Sequence, residues 1–300
     1  MAAVGSHTVD SNAVDSYAVD SYAVDSYAVD LYAVIGNPIA QSKSPFIHDL
    51  FARATGQAMQ YQTLLCEPTQ FKQQVDQWVA SGAKGLNITA PFKLDAFAYA
   101  HQLSDAARSA GAVNAMKFVD GVVYGENFDG IGLVNDVTLN LQNNLDGKRV
   151  LILGSGGAVR GALQPILKAN PARVVIACRK LDSARGLIDA NQSIGQVELT
   201  EYQHLVGRHF DIVFNATSSS LFAQLPPIQS DIFSHCQLAY DLSYGKGLTP
   251  FLAMAKAMQV TNIADGVGML VEQAAFAFDW WRGVRPETKA AIAALTVPLD

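Results

Sequence analysis

The sequence predicts an α/β protein of two domains, the second organised around a parallel sheet. Three observations carry this reading. From residue 31 on, short apolar runs of strand length alternate with segments of helical character. The series breaks at a hairpin signature and restarts with a continuous apolar run at 149–153 that leads into a glycine-rich turn. With 300 residues, half of them apolar and 16% charged, the chain has enough apolar material for two medium cores.

Residues 1–30 stand apart. After Asp10 the chain reads SNAVD, SYAVD, SYAVD, SYAVD and then LYAVIGNP, a five-residue unit that fits neither the helical nor the strand period. These residues read as unstructured copies of the first strand's opening, with an extra edge strand or an oligomerisation arm as the rival reading. Only Tyr32-Ala33-Val34 continues into Ile35-Gly36-Asn37-Pro38, so only that copy is expected in the sheet.

Strands are expected at 31–35, 60–65 and 84–89. The helices between them start at Ser44-Pro45, read as an N-cap followed by proline in the first helical position, and at Glu67-Pro68, with the second ending near Gly82. Within GLNITAPFK (85–93), Leu86, Ile88, Ala90 and Phe92 are expected to point inward, leaving Lys93 presented after the break at Pro91. The segments 115–118 and 122–124 read as a hairpin about a tight Asp120-Gly121 turn. The second series begins with the strand 149–153. Gly154-Ser155-Gly156-Gly157-Ala158-Val159-Arg160-Gly161 then opens a helix, the strand 173–178 completes a βαβ unit, and strands at 211–215 and 238–242 continue the sheet.

The glycine-rich turn carries the first chemistry. A diphosphate needs backbone N–H groups at close range and the positive end of a helix dipole, and glycines let the chain approach. Gly154, Ser155, Gly156, Gly157, Ala158 and Val159 are therefore candidate cofactor-binding residues of a Rossmann-like dinucleotide-binding domain. Val159 is an imperfect third position of G-x-G-x-x-[GA], so a ligand-free strand-to-helix turn is the alternative for the motif alone. About twenty residues on, where NAD-binding chains place an acidic residue for the ribose 2′-OH, stand Cys178, Arg179 and Lys180. Two cations suit a 2′-phosphate and favour NADP over NAD; a solvated strand end is the plain alternative.

Composition excludes several classes. The net charge is −6, but Asp10, Asp15, Asp20, Asp25 and Asp30 lie in the repeat, where there is no Lys or Arg, so the body is nearly neutral. No basic patch recommends nucleic acid or an anionic membrane. Cys66, Cys178 and Cys236 are far apart and form no C-x-x-C pair, which fits a reducing cytoplasm and gives no expectation of a metal. The start lacks a signal-peptide pattern, and the apolar stretch 267–281 is interrupted by Glu272, Gln273 and Asp279, so no membrane span is expected.

Lys93, expected at the C-terminal edge of a sheet, and Asp129, at the junction of the two series, form a candidate pair across an interdomain cleft. Such a pair suits the proton that accompanies reduction of a ketone. The residues alone leave open a solvated turn lysine and an ordinary Asp-Gly turn.

Over nearly all of residues 31 to 290 the chain resembles shikimate dehydrogenase. The resemblance rests on motifs in order: Gly36-Asn37-Pro38 with Ser42-Lys43-Ser44-Pro45; Asn87-Ile88-Thr89-Ala90-Pro91-Phe92-Lys93; Gly111-Ala112-Val113-Asn114; and Asn127-Phe128-Asp129-Gly130. Beyond the glycine turn with Arg160 come Asn215-Ala216-Thr217-Ser218, Tyr244-Gly245-Lys246-Gly247, and Ala264-Asp265-Gly266-Val267-Gly268-Met269-Leu270 leading to Gln273. It implies a substrate-binding catalytic domain at 31–128 plus 265–300, an NADP-binding domain at 129–264, and reversible NADPH-dependent reduction of 3-dehydroshikimate to shikimate in aromatic amino-acid (chorismate) biosynthesis.

The resemblance further implies that Ser42 and Ser44 hold the substrate carboxylate, that Asn87, Thr89, Asn114, Asp129 and Gln273 hold ring hydroxyls, and that Tyr244 lines the pocket. Lys93 and Asp129 would be catalytic, and Ala216, Thr217, Leu242 and Gly266 would border the cofactor. A homodimer is compatible with it. The family commonly has Asn-Thr-Asp-Gly at 127–130 and Asn-Arg-Thr at 178–180, so Phe128 places a bulky ring next to Asp129 and raises the question of pocket shape. A dehydrogenase of quinate or another cyclic hydroxy acid, or a non-catalytic NADP-binding sensor, are the alternatives.

Overall fold

Two six-stranded sheets carry the architecture of the computed structural model, which describes residues 29–189, 191 and 193–299. The expectation for the repeat therefore lies, up to residue 28, outside the described residues. The first half runs β1 (Asp30–Gly36), α1 (Ser44–Thr55), β2 (Met59–Leu65), α2 (Phe71–Ala80), β3 (Gly85–Ile88), α3 (Lys93–Tyr99), β4 (Gln102–Leu103), α4 (Asp105–Ala110), β5 (Ala115–Val119) and β6 (Val122–Glu126). Then come α5 (Asp129–Asn135), a π-helical turn over Asp136–Asn140, β7 (Arg149–Leu153), α6 (Gly157–Lys168), β8 (Arg173–Ala177), α7 (Asp182–Asp189), β9 (Val197–Thr200) and β10 (Ile212–Asn215). The chain ends with β11 (Leu238–Asp241), α8 (Pro250–Ala257), β12 (Asn262–Asp265), α9 (Val267–Arg282) and α10 (Lys289–Leu295). Among the described residues no helix is long and apolar enough to cross a membrane.

The first sheet has the order β2-β1-β3-β5-β6-β4, in which β5 alone runs antiparallel to the other five strands. Asp120 and Gly121 both have positive φ, 49° and 77°, as a two-residue hairpin turn demands. The second sheet, β12-β11-β10-β7-β8-β9, is wholly parallel. Its order reverses between β7 and β10, where an open α/β sheet presents a crevice for a ligand. Its central strands are buried apolar runs because helices cover both faces.

Several local expectations are corrected. β1 starts at Asp30, whose carboxylate pairs with Arg282 at the end of α9, so the last residue of the repeat belongs to the sheet. β3 stops at Ile88, and Ala90 is exposed while Leu86, Ile88 and Phe92 are buried. Lys43, not Ser44, is the N-cap of α1, and the Ser44 N–H donates to Ser42 Oγ at 3.3 Å. α2 begins at Phe71, after a turn that follows Pro68. β4, β9 and β12 lie outside the expected strands, being short and mixed in polarity.

Helix α5 is wedged between the two halves. A Cβ on Gly130 would stand 2.1 Å from the Gly161 carbonyl oxygen of α6, and one on Gly132 would stand 2.8 Å from the Gln273 nitrogen of α9. α9 is tied across the same junction: the Tyr240 hydroxyl of β11 donates to Asp136 at 2.7 Å and accepts from the Met269 N–H at 3.2 Å. Buried Glu272 accepts from Thr288 and Arg285 at 2.7 Å and from Asn140 at 3.1 Å.

Gly130→Ala should cost about 1–3 kcal/mol in urea unfolding, the usual penalty of overpacking. It should also reduce turnover, because the added methyl displaces the helix that begins at Asp129. Behind β1, His48 of α1 is wholly buried among Phe51, Tyr61, Phe278 and Trp281. Burial pushes its pKa down to about 3, against an opposing effect of the Asn87 side chain. The imidazole therefore stays neutral in the folded protein while the unfolded chain takes up a proton below about 6.5, and stability is lost as pH falls from 6.5 toward 3. This group should remove about 1.3 kcal/mol between pH 7 and pH 5.5. Urea titrations at the two pH values should show that much less acid sensitivity in His48→Phe than in the native chain.

Candidate active site

The C-terminal edges of the two sheets face a cavity of about 180 Å³. Ser42 and Ser44 enter it from the start of α1, Asn87 and Thr89 from the end of β3, Lys93 from the first residue of α3, and Asn114 from the residue before β5. Asp129 comes from the first residue of α5, Tyr244 from the loop after β11, and Gln273 from α9. All the residues expected around the substrate thus line one cavity. Leu242 and Gly266, expected beside the cofactor, border the same space. Val34, Ile88, Met269 and Leu270 complete the wall; as candidate pocket residues they carried no signal, because an apolar side chain at a strand end or on a buried helix reads as core.

Hydrogen bonds fix the polar members relative to one another. Lys93 Nζ donates to Asp129 Oδ2 at 2.5 Å, and Asn114 Nδ2 donates to Asp129 Oδ1 at 2.8 Å. Asn114 Nδ2 also reaches Gln273 Oε1 at 3.3 Å, and Asn114 Oδ1 accepts the Phe128 N–H at 2.9 Å. Asp129 is nearly buried while Lys93 keeps about a third of its side chain exposed, 10% against 31%, so the ammonium is the member open to a ligand. Burial raises the Tyr244 pKa, leaving a neutral phenol at the rim. The Phe128 ring turns away from the cavity and packs on Phe276 and Trp280 of α9, at centroid distances of 5.9 and 5.8 Å. The departure at this position does not narrow the pocket.

The other wall is the edge of the parallel sheet. Gly154 has φ +101°, and a Cβ there would meet the Ala216 carbonyl oxygen at 3.1 Å, so the β7 and β10 turns touch at the point where strand order reverses. A Cβ at Gly156 or Gly157 would meet nothing within 4 Å. The backbone that opens α6 thus looks into free space, as a diphosphate cradle requires. The Val159 side chain is buried in the core and offers only its backbone. At the end of β8 Cys178 is buried too, whereas Arg179 and Lys180 are exposed. These residues fit a dinucleotide with a 2′-phosphate: open N–H groups at the helix start and two cations one βαβ unit further on.

A lysine–carboxylate pair held between neutral hydrogen-bonding side chains and a dinucleotide edge defines a nucleotide-dependent oxidoreductase of small polar substrates. Family models extend over most of the chain: shikimate dehydrogenase substrate binding domain at 34–116, shikimate / quinate 5-dehydrogenase at 136–265, and shikimate 5′-dehydrogenase C-terminal domain at 266–296. The chain belongs to the shikimate dehydrogenase family. It is 54% identical over 256 residues to shikimate dehydrogenase (NADP(+)) of Chromobacterium violaceum, covering 85% of this chain and 94% of that protein. The crystal structure of an Ael1 enzyme from Pseudomonas putida matches with a TM-score of 0.87 at 52% identity, over 90% of this chain and all of that one (100%). Shikimate 5-dehydrogenase of Thermus thermophilus, solved in complex with NADP(H) and shikimate, matches with a TM-score of 0.80 at 26% identity, over 89% of this chain and 98% of that one.

Arg179→Ala should weaken NADP binding by about 10–100-fold, as expected for the loss of a hydrogen bond to a charged group, and leave NAD binding nearly unchanged. Fluorescence titration with each nucleotide measures the difference; equal losses would contradict a phosphate contact.

Proposed function

We propose that the protein interconverts 3-dehydroshikimate and shikimate with NADPH and NADP, and that Lys93 and Asp129 handle the proton. The observation that carries this reading is the 2.5 Å Lys93–Asp129 pair facing a cavity otherwise walled by hydroxyls, amides and apolar groups. Ser42 and Ser44 cradle the substrate carboxylate with neutral donors. Asn87, Thr89, Asn114 and Gln273 pair with ring hydroxyls, since amides and hydroxyls can both give and accept. Once bound across Gly154–Val159, Arg179 and Lys180, the nucleotide supplies or takes up the hydride.

Lys93 donates a hydrogen bond to the ketone oxygen, stabilises the negative charge that develops there, and delivers the proton. Asp129 holds the ammonium in place, and in the reverse direction the pair accepts the hydroxyl proton. Asn114 fixes the far oxygen of the carboxylate, so that Oδ2 faces Lys93. In this reading 31–128 with 265–300 forms the substrate-binding catalytic part, 129–264 the NADP-binding part, and the enzyme works in the cytoplasm. Every side chain invoked comes from one chain, so a homodimer is compatible with the reaction and not required by it.

The rate of NADPH formation from shikimate and NADP tests the reading, with NAD and quinate run alongside. Fast turnover with shikimate and NADP alone is expected; nucleotide binding without turnover of either acid would overturn it. Lys93→Ala should lower turnover by about 10²–10⁴-fold with little change in nucleotide affinity, and near-normal turnover would remove Lys93 from its role.

A further inference from the structure

Tyr61 does not line the cavity, yet it reaches two residues that do. It lies on β2 opposite Tyr32 of β1, and Asn87 lies on β3 opposite Val34. Alternation along the strands therefore puts Tyr32, Val34, Tyr61 and Asn87 on the one sheet face that α1 and α9 cover. The Tyr61 hydroxyl donates to Asn87 Oδ1 at 2.7 Å, and Asn87 Nδ2 donates to the Asn114 carbonyl at 3.3 Å. Held at both ends, the Asn87 amide cannot flip, and it keeps one lone pair and one N–H for a ligand. The Ser44 side chain stands beside the same phenol, where it opposes the effect of burial on the phenol's pKa. Burial keeps that phenol protonated, since it pushes the pKa well above the ordinary tyrosine range.

His48 backs the tyrosine, with ring centroids 4.1 Å apart and planes 9° from parallel. Neither of its ring nitrogens has a hydrogen-bond partner among the described residues, although the group is wholly buried. A phenyl ring would fill the place at lower cost. What an imidazole adds is a polar edge beside the Asn87 side chain, short of a hydrogen bond.

We propose that Tyr61, backed by His48, is a positioning residue for the substrate: its one oxygen sets the spacing between Ser44 and Asn87 and so selects the arrangement of carboxylate and ring hydroxyl that the pocket accepts. This rests on the reading of the cavity as a site for a cyclic hydroxy acid. Tyr61→Phe keeps the stacked ring and removes only the hydroxyl. The KM for shikimate should rise about tenfold, while kcat stays within about threefold and the KM for NADP is unchanged. In an Asn87→Ala background the same change should add less than about threefold, because its effect passes through a group already removed.

His48→Phe retains a ring against Tyr61 and should melt no lower than the native chain, with a rise of about threefold in the KM for shikimate. Should Tyr61→Phe fail to fold, that second value decides. An unchanged KM for shikimate in the folded variants, or equal changes in KM for shikimate and for NADP, overturns the proposal. Native turnover of shikimate, measured first in the same assay, separates the claims: its absence overturns the functional reading, whereas an active Tyr61→Phe protein with unaltered KM overturns the positioning role alone.

Discussion

The site depends on how closely α5 approaches its neighbours. Asp129 opens that helix, and the glycines that follow it remove the side chains that would hold α6 and α9 away. The carboxylate therefore stands where the substrate-binding sheet, the dinucleotide edge and α9 converge, on a helix packed along two sides instead of on a loop. Reactions that need a donor, an acceptor and a proton within contact distance lose rate steeply with displacements of about 1 Å. A catalytic group set by backbone-to-backbone contact resists such displacement better than one set by a flexible side chain. The Tyr240–Asp136–Met269 link and the Glu272 cluster extend the constraint, fixing the helix that carries Met269, Leu270 and Gln273 to the same junction.

Charge is used sparingly around this point. Lys93 and Asp129 are the ionisable pair of the cavity wall, and the other polar members are serines, a threonine, asparagines, a glutamine and a tyrosine. That choice has a reason. A substrate carboxylate anchored by a second strong cation would be bound equally well before and at the transition state, which lowers KM without speeding the step. In the proposed reaction, neutral donors at the carboxylate would leave Lys93 as the cation nearest the oxygen where charge develops, and desolvation by the apolar wall of Val34, Ile88, Met269 and Leu270 would strengthen that interaction.

Much of this was legible in the residue order. Continuous apolar runs ending in Gly or Pro marked the central strands, and Asp120-Gly121 marked the hairpin, because buried parallel strands and tight primed turns leave few alternatives in composition. β4, β9 and β12 escaped because edge strands are short and half-solvated, which removes the apolar signal. The polar pocket residues were found through spaced motifs, whereas Val34, Ile88, Met269 and Leu270 have the same chemistry inside a core as at a pocket wall. Tyr61 was missed for another reason: its task is to hold two ligand-facing groups, and that relation exists only once β1, β2 and β3 are laid side by side.

The two departures from the family pattern show which property of a residue the site uses. At 128 the useful group is the backbone N–H, which Asn114 Oδ1 accepts at 2.9 Å and which any residue but proline supplies. The side chain is free to vary provided that it finds a home outside the pocket, and a phenylalanine finds one against Phe276 and Trp280, where Arg285 lies over the Phe276 ring. The ring thereby staples the start of α5 to α9 and reinforces the wedge on which Asp129 depends. The same separation operates at the end of β8, where Cys178 turns into the core and Arg179 turns out. In the proposed reaction Lys93, Asn114, Asp129 and Arg179 act through their side chains, whereas the departure at 128 falls on a residue that meets the site through its backbone N–H. Substitution at Phe128 is therefore a change in packing between two helices, and the reaction site beside it retains its geometry.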